Sequence, residues 1–257
     1  MSLVKVDSVE IRPERTRTYE ALVHRVAEAA QKRKDPAEWA AHQVTAGPRG
    51  RYHFVMEAPD WATLGSREQV PELVGRLLGE SEGASVFEKI EECETAAATT
   101  IGRLRADLSR LPAQGAAPRL FTSVTLFEAR AGGQDAVEEL FRKSAQALEK
   151  LGESRRFLAY QTVVGNLRQY YTVMPVDGLG ELDGRLPSQL LQDAFGAEGA
   201  LVYRNGIEAI VRSEREISRV RPELSNAPWV PDLSVRIAAA TKARAATAGA
   251  PAGSGRQ

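Results

Sequence analysis

Two pairs of side chains with acid–base character sit at matching places in this chain. His42 and His53 are separated by the same interval as Tyr160 and Tyr171. Imidazole exchanges a proton near neutral pH, so the histidines could act as acid or base, or bind a metal or haem. Two histidines are too few for a closed metal site, and the plainer alternative is a hydrogen-bonded pair inside the fold. The tyrosines could line a pocket or simply fill space. Arg51 and Gln169 stand two residues before His53 and Tyr171. Together, His42, His53, Tyr160, Tyr171, Arg51 and Gln169 form the candidate ligand-binding set, with no metal site expected. The third histidine, His24, lies beside the apolar stripe of a predicted helix and reads as a surface residue.

The matching spacing has a cause. Sliding the sequence on itself by 118 residues aligns Leu3 to Arg67 with Phe121 to Arg185 without a gap, and 16 of those 65 positions are identical. The chain is a tandem duplication. Each copy is about the size of a small domain. The expected organisation is a first unit at 1–112, a second at 118–225 and a C-terminal extension at 226–257, flexible from about 238. With 43% hydrophobic residues the chain can bury a sizeable core.

Leu3–Arg12 and Phe121–Arg130 alternate like strands, and apolar residues then recur at helical spacing from Tyr19 to Ala30 and from Val137 to Leu151. Trp39–Ala46 and Arg51–Glu57 flank a glycine-rich turn, as do Phe157–Val164 and Gln169–Pro175. Helical segments follow at Arg67–Leu78 and Leu186–Phe195. If Ala46 pairs with Arg51, then His42, Val44, Arg51, His53, Val55 and Glu57 share one face. The other face carries Ala41, Tyr52, Phe54 and Met56 and suits packing on helices. Gln43 and Gln161 are identical in the two halves, which points to hairpin architecture.

The end of each unit reads less clearly. Ala84–Leu111 is rich in Ala and Glu with apolar residues at helical spacing, which predicts one long helix. Glu88, Glu91, Glu92 and Glu94 would then lie near its N-terminal end, where negative charge complements the dipole. In the second copy Asn205-Gly206 signals a hairpin, while homologous position favours a helix over Ala200–Arg212. Trp61 and its counterpart Leu179 read as a hydrophobic plug between layers, and Met56 and Met174 as core.

Several classes of chemistry lack their motifs. The chain has no Gly-x-Gly-x-x-Gly turn, no Walker-type loop, no HExxH and no CxxC. Thirty-four basic residues balance thirty-four acidic ones, so nucleic acid and membrane surfaces are not expected partners. Lys242, Arg244 and Arg256 in the tail read as solvated charges. The lone Cys93 allows no internal disulfide, and a cytoplasmic location is expected because the N-terminus lacks the apolar core of a signal peptide.

The order strand, helix, strand, glycine turn, strand such as YHFVMEAPDWATL or YYTVMPVDGLGEL, then short helix, resembles the dimeric α/β-barrel superfamily. The resemblance covers residues 3–80 and 121–197. That superfamily includes cofactor-independent antibiotic-biosynthesis-type monooxygenases, NIPSNAP-like proteins, haem-degrading monooxygenases and chlorite dismutase-like haem proteins. It implies an α+β fold: two ferredoxin-like units packed sheet to sheet as a barrel within one chain, with extra long helices. It also implies a hydrophobic small molecule as a ligand and cofactor-free oxidation as a possible activity. The alternative is a non-catalytic interaction or assembly module, by self-association or with a protein partner. Chlorite dismutase-like members use a histidine of the second unit as haem ligand. All three histidines here lie in the first unit, so no cofactor is expected.

Overall fold

The computed structural model describes residues 2–112 and 119–229. The first unit runs β1 (Leu3–Ile11), α1 (Thr16–Arg33), β2 (Ala40–Ala46), β3 (Arg51–Ala58), α2 (Trp61–Gly65), α3 (Val70–Leu78), α4 (Glu80–Glu91) and β4 (Glu94–Leu104). The second repeats the plan with β5 (Phe121–Ala129), α5 (Gln134–Lys150), β6 (Leu158–Val164), β7 (Gln169–Val176), α6 (Pro187–Phe195), α7 (Ala197–Glu208) and β8 (Ile210–Val220). A single 3-10 turn, Leu179–Leu182, stands where the first unit has α2. The eight strands close into one barrel in the order β1-β3-β2-β8-β5-β7-β6-β4. Two four-stranded sheets therefore face each other and are joined at both edges, where β2 pairs with β8 and β4 with β6. Closure removes the open edges that would otherwise recruit other chains.

The period-two pattern of the strands sorts the two faces. Ala41, Tyr52, Phe54 and Met56 point outward into a core with Tyr19, Val23 and Val26 of α1 and Val74 and Leu77 of α3. Ala159 and Tyr170 do the same against α5 and α6. His42, His53, Tyr160 and Tyr171 are left on the inner face. In the hairpins the pairs are His42↔His53 and Tyr160↔Tyr171, directly opposite each other. The expected register is off by two residues, because the connection between paired segments is longer than the four-residue turn. A shift of two preserves the faces.

The long helix expected over Ala84–Leu111 does not form. α4 ends at Glu91, Cys93 donates its N–H to Ile90 in a closing turn, and β4 begins at Glu94. Its alanines favour helix locally, but β1 and β6 offer hydrogen-bonding edges on both sides, and tertiary pairing overrides a weak propensity. The acidic run thus lies at the C-terminal end of α4. Burial and the Glu91 charge accordingly push the Glu94 carboxyl up to about 7. In the second copy the helix reaches Glu208 and the strand starts at Ile210, with Asn205-Gly206 inside the helix. Gly206 is there because a Cβ would sit 2.7 Å from Leu140 of α5. Trp61 and Leu179 are exposed, not plugs. Met174 is half-buried beside the barrel interior. The tail from 238, with its basic residues, lies outside the described residues.

The residues identical in the two halves explain how the units lock together. Arg221, just past β8, reaches into the first unit, where Nη1 donates to Glu20 at 2.7 Å and to the Gln43 side-chain Oε1 at 2.6 Å. Gln43 donates to Tyr52 Oη, and Tyr52 donates to Glu20. Arg105, just past β4, makes the mirror set in the second unit with Glu138 at 2.7 Å and Gln161 at 3.0 Å, closed by Tyr170. Each unit thus inserts an arginine into the other. The Arg221 hydrogen bond holds the Glu20 carboxyl below its ordinary value despite partial burial.

Arg221→Gln leaves Glu20 half-buried and without its cation. Loss of one partner from a fully buried pair costs about 3–5 kcal/mol; with this partial exposure the expected loss is about 2 kcal/mol. Because the folded pKa of Glu20 is depressed, its stabilisation is present above the unfolded value, about 4.3, and is lost as pH falls through the folded one. Urea unfolding at pH 7 and pH 3.5 should show a gap between wild type and Arg221→Gln that narrows in acid; a gap independent of pH contradicts the assignment.

Candidate functional site

The barrel is not filled. A cavity of about 830 Å³ lies inside it, lined by inward residues of all eight strands. Val4, Val6, Val55, Val124, Val173 and Val220 make its walls apolar, and His42, His53, Tyr160, Tyr171 and Glu216 project into it. Its mouth is bordered by Glu38 and Trp39 before β2, Ser154–Arg156 before β6, and Ala227–Trp229 after β8. A mostly apolar pocket of this size with a few convergent polar groups is typical of small-molecule sites.

The polar groups gather on one wall. His53 Nε2 lies 2.6 Å from Glu216 Oε1, and its Nδ1 lies 2.7 Å from Ser8 Oγ. Burial would raise the Glu216 carboxyl, but the hydrogen bond and charge of His53 and the charge of Arg51 outweigh it and hold the pKa below its ordinary value. An ionised carboxylate only accepts, so His53 donates from Nε2, and in the neutral ring Nδ1 is then the acceptor for Ser8. Arg51 bonds Glu10 at 2.5 Å and stands 3.6 Å from Glu216, so it supports the carboxylate from behind. His42 sits across from His53, its Nδ1 3.5 Å from Ser218 Oγ, and burial pushes its pKa down to about 4. It is a neutral imidazole at physiological pH.

The opposite wall is the duplicated copy of this one with different chemistry. Tyr160 and Tyr171 stand where His42 and His53 do, Leu126 replaces Ser8, Thr100 replaces Glu216 and Gly102 replaces Ser218. Burial raises the pKa of both phenols, which remain protonated donors at neutral pH. One half supplies a proton-accepting line, the other an aromatic wall.

Four of the six residues singled out from sequence border the cavity. Arg51 and Gln169 do not: each begins its strand, Arg51 turning to Glu10 and Glu216, and Gln169 pairing with Glu128 across β5. Ser8, Glu216 and Ser218 were missed. Ser8 looks like any polar position of a half-buried strand. Glu216 and Ser218 lie in β8, whose alternation of charges carries no apolar signal. The inward period-two row Glu214, Glu216, Ser218, Val220 was the available clue.

No protein-family model matches this sequence, and no curated protein does either. Solved structures do. An anthrone oxidase-like protein superposes with a TM-score of 0.55 at 13% identity, covering 89% of this chain and 94% of that one. A proposed monooxygenase from Lactobacillus acidophilus NCFM gives 0.53 at 6% identity, covering 85% and 93%. Chlorite dismutase from Candidatus Nitrospira defluvii, in complex with imidazole, gives 0.52 at 9% identity, covering 86% and 92%. The chain shares with these structures a dimeric α/β-barrel fold. Both halves of this barrel belong to one chain.

His53 is not placed to act as an axial haem ligand. Both ring nitrogens of His53 are engaged, by Ser8 and Glu216. An axial ligand needs a free nitrogen aimed at open space. No group of three or more His, Cys, Asp or Glu among the described residues could hold a metal ion, and no helix among them is long and apolar enough to cross a membrane.

Proposed function

We propose that this protein binds an apolar, ring-sized small molecule inside its barrel and oxidises it with dioxygen without a cofactor. The observation that carries the reading is the cavity of about 830 Å³ with a Ser8–His53–Glu216 line in its wall. A self-filled barrel, as an interaction module would have, would leave no such space. The likeness to monooxygenase-like and anthrone oxidase-like structures agrees with this reading.

On this reading each residue of the wall has a role. His53 Nδ1 takes a proton from an acidic C–H or O–H of the ligand, directly or through the Ser8 hydroxyl. Glu216 stabilises the resulting imidazolium and fixes the tautomer, making it a positioning residue. A ring CH₂ losing its proton becomes a carbanion that dioxygen oxidises; overall CH₂ and O₂ give C=O and H₂O. Tyr160 and Tyr171 offer O–H donors and aromatic surface from the opposite wall. An acyl-transfer role for the Ser8–His53–Glu216 line is disfavoured, because Ser8 lies mid-strand where backbone N–H groups pair with β3 and β4 and cannot form an oxyanion hole.

The test is oxygen uptake by the purified protein with anthrone, an acidic ring CH₂ compound. Uptake above the buffer rate is expected, falling about 100-fold or more in His53→Gln, as loss of a general base typically does. Glu216→Gln should lower kcat with little change in KM. Binding without uptake would leave a carrier, and absence of binding by any ring-sized apolar compound would favour the interaction-module reading.

A further inference from the structure

The cavity mouth is electrically lopsided. Arg155 and Arg156 stand before β6 at the places held in the first copy by Ala37 and Glu38. Both arginines border the cavity. The Arg155 side chain is only 15% exposed, its Nη1 donates to the Arg185 carbonyl at 3.0 Å, and its Nε and Nη2 are buried without a hydrogen-bond partner. Its nearest carboxylate, Glu153, stands 3.5 Å from Nε and is also engaged by Arg185. Gly184 packs flat on the guanidinium, where a Cβ would approach Cζ to 2.8 Å. Arg156 donates Nη1 to the carbonyls of Glu153, Ser154 and Arg155 and pairs with no carboxylate among the described residues.

A third arginine deepens the surplus. Arg110 donates to the Glu153 and Arg155 carbonyls. Burial and the Arg156 charge work against its protonated form and outweigh the opposing charges of Glu149 and Glu153. Arg185 has Asp193 besides Glu153. Four arginines thus meet three carboxylates, Glu149, Glu153 and Asp193. Of the other acids bordering the cavity, Glu181 is committed to the Asp177 and Gly178 amides, while Glu38 and Glu57 border it from the first unit. A partly desolvated guanidinium with a spare N–H beside an apolar cavity is disfavoured unless an anion completes it.

We propose that the cavity's ligand is an amphipathic organic acid, its apolar body between the barrel walls and its carboxylate on the Arg155 and Arg156 guanidinium groups. The inference rests on the reading of the barrel as a binding cavity and adds the ligand's chemical class and orientation. With the carboxylate at the mouth, the ring system extends inward toward His53. The carboxylate gains charge-assisted hydrogen bonds in a poorly hydrated setting, where they are about twice as strong as neutral ones.

A matched pair of probes separates the two levels. 2-Naphthoate and neutral 2-naphthamide have the same rings and differ in charge. Binding of each is read by calorimetry and by fluorescence of Trp39 and Trp229, which border the cavity. Naphthoate should bind at least tenfold more tightly. In Arg155→Gln/Arg156→Gln that preference should fall below about threefold while naphthamide affinity is unchanged. Arg156→Gln alone, which removes only contacts to neighbouring carbonyls, should lose part of the preference with its circular dichroism intact and serves if the double variant misfolds. Equal binding of both probes to wild type, or a preference that survives the substitutions, overturns the anion site and leaves the cavity reading standing. Failure of both probes to bind overturns the cavity reading and this inference with it.

Discussion

Replacing His42 with leucine is expected to flatten the acid limb of this protein's stability curve. His42 lies half-buried on the barrel's inner face, and desolvation there holds its pKa at about 4, with the neighbouring His53 adding to the shift. In the unfolded chain the ring titrates at about 6.5. Between these values the unfolded state binds a proton that the folded state refuses. Stability from this group is therefore fully present above about pH 6.5 and is lost as pH falls toward 4, by about 3 kcal/mol. Glu216, the other charge facing His42, favours the protonated ring and opposes the shift without reversing it. Leucine has similar bulk, suits the valine-lined wall, and has nothing to titrate. In urea unfolding from pH 7.5 to 4, His42→Leu should gain about 3 kcal/mol in stability relative to wild type, because only wild type loses this contribution in acid. Parallel curves, or a His42 ring titrating near 6.5 by NMR, would contradict the burial argument.

Gly199→Ala should be among the most damaging single substitutions in the second unit, at about 3 kcal/mol, the upper end of typical overpacking costs. α6 and α7 are joined through Gly196 alone and cross at close range. An added Cβ at Gly199 would lie 2.0 Å from the Leu191 carbonyl oxygen and 2.6 Å from its carbon. That carbonyl belongs to α6 and cannot swing aside, so the helices must separate and uncover Leu190 and Leu191, both buried. A fall in Tm of roughly 6–12 °C follows for a protein of this size. The duplicated position behaves alike: a Cβ at Gly83 would meet the Gly75 Cα at 2.5 Å. Gly75→Ala is the control, since its own Cβ would meet nothing within 4 Å. There the better helix former should be neutral or stabilising by up to about 1 kcal/mol. Equal effects from Gly199→Ala and Gly75→Ala would refute a steric origin.

The internal repeat made much of this architecture readable from sequence. Strong period-two and period-3.6 patterns place β1 to β3, α1, α3 and their counterparts, because those elements bury one face and must alternate accordingly. The same alternation puts His42, His53, Tyr160 and Tyr171 on one face, and it survives a register error of two because side chains repeat every two residues. The identical Gln43 and Gln161 are architectural, although their arginine partners come from the opposite unit. β4 and β8 were hidden. Their alanines and alternating charges carry no apolar signal, and they become strands only because β1, β6, β2 and β5 present edges to them. Glu216 therefore reaches His53 from a strand on the other unit, 163 residues away in sequence. Whether the barrel is filled or hollow is likewise set by how far apart eight backbones settle. The chain by itself determined the duplicated units and the inward faces; closure of the barrel decided the cavity, the Ser8–His53–Glu216 line and the arginines at its mouth. Each of these depends on long-range pairing that local patterns do not encode.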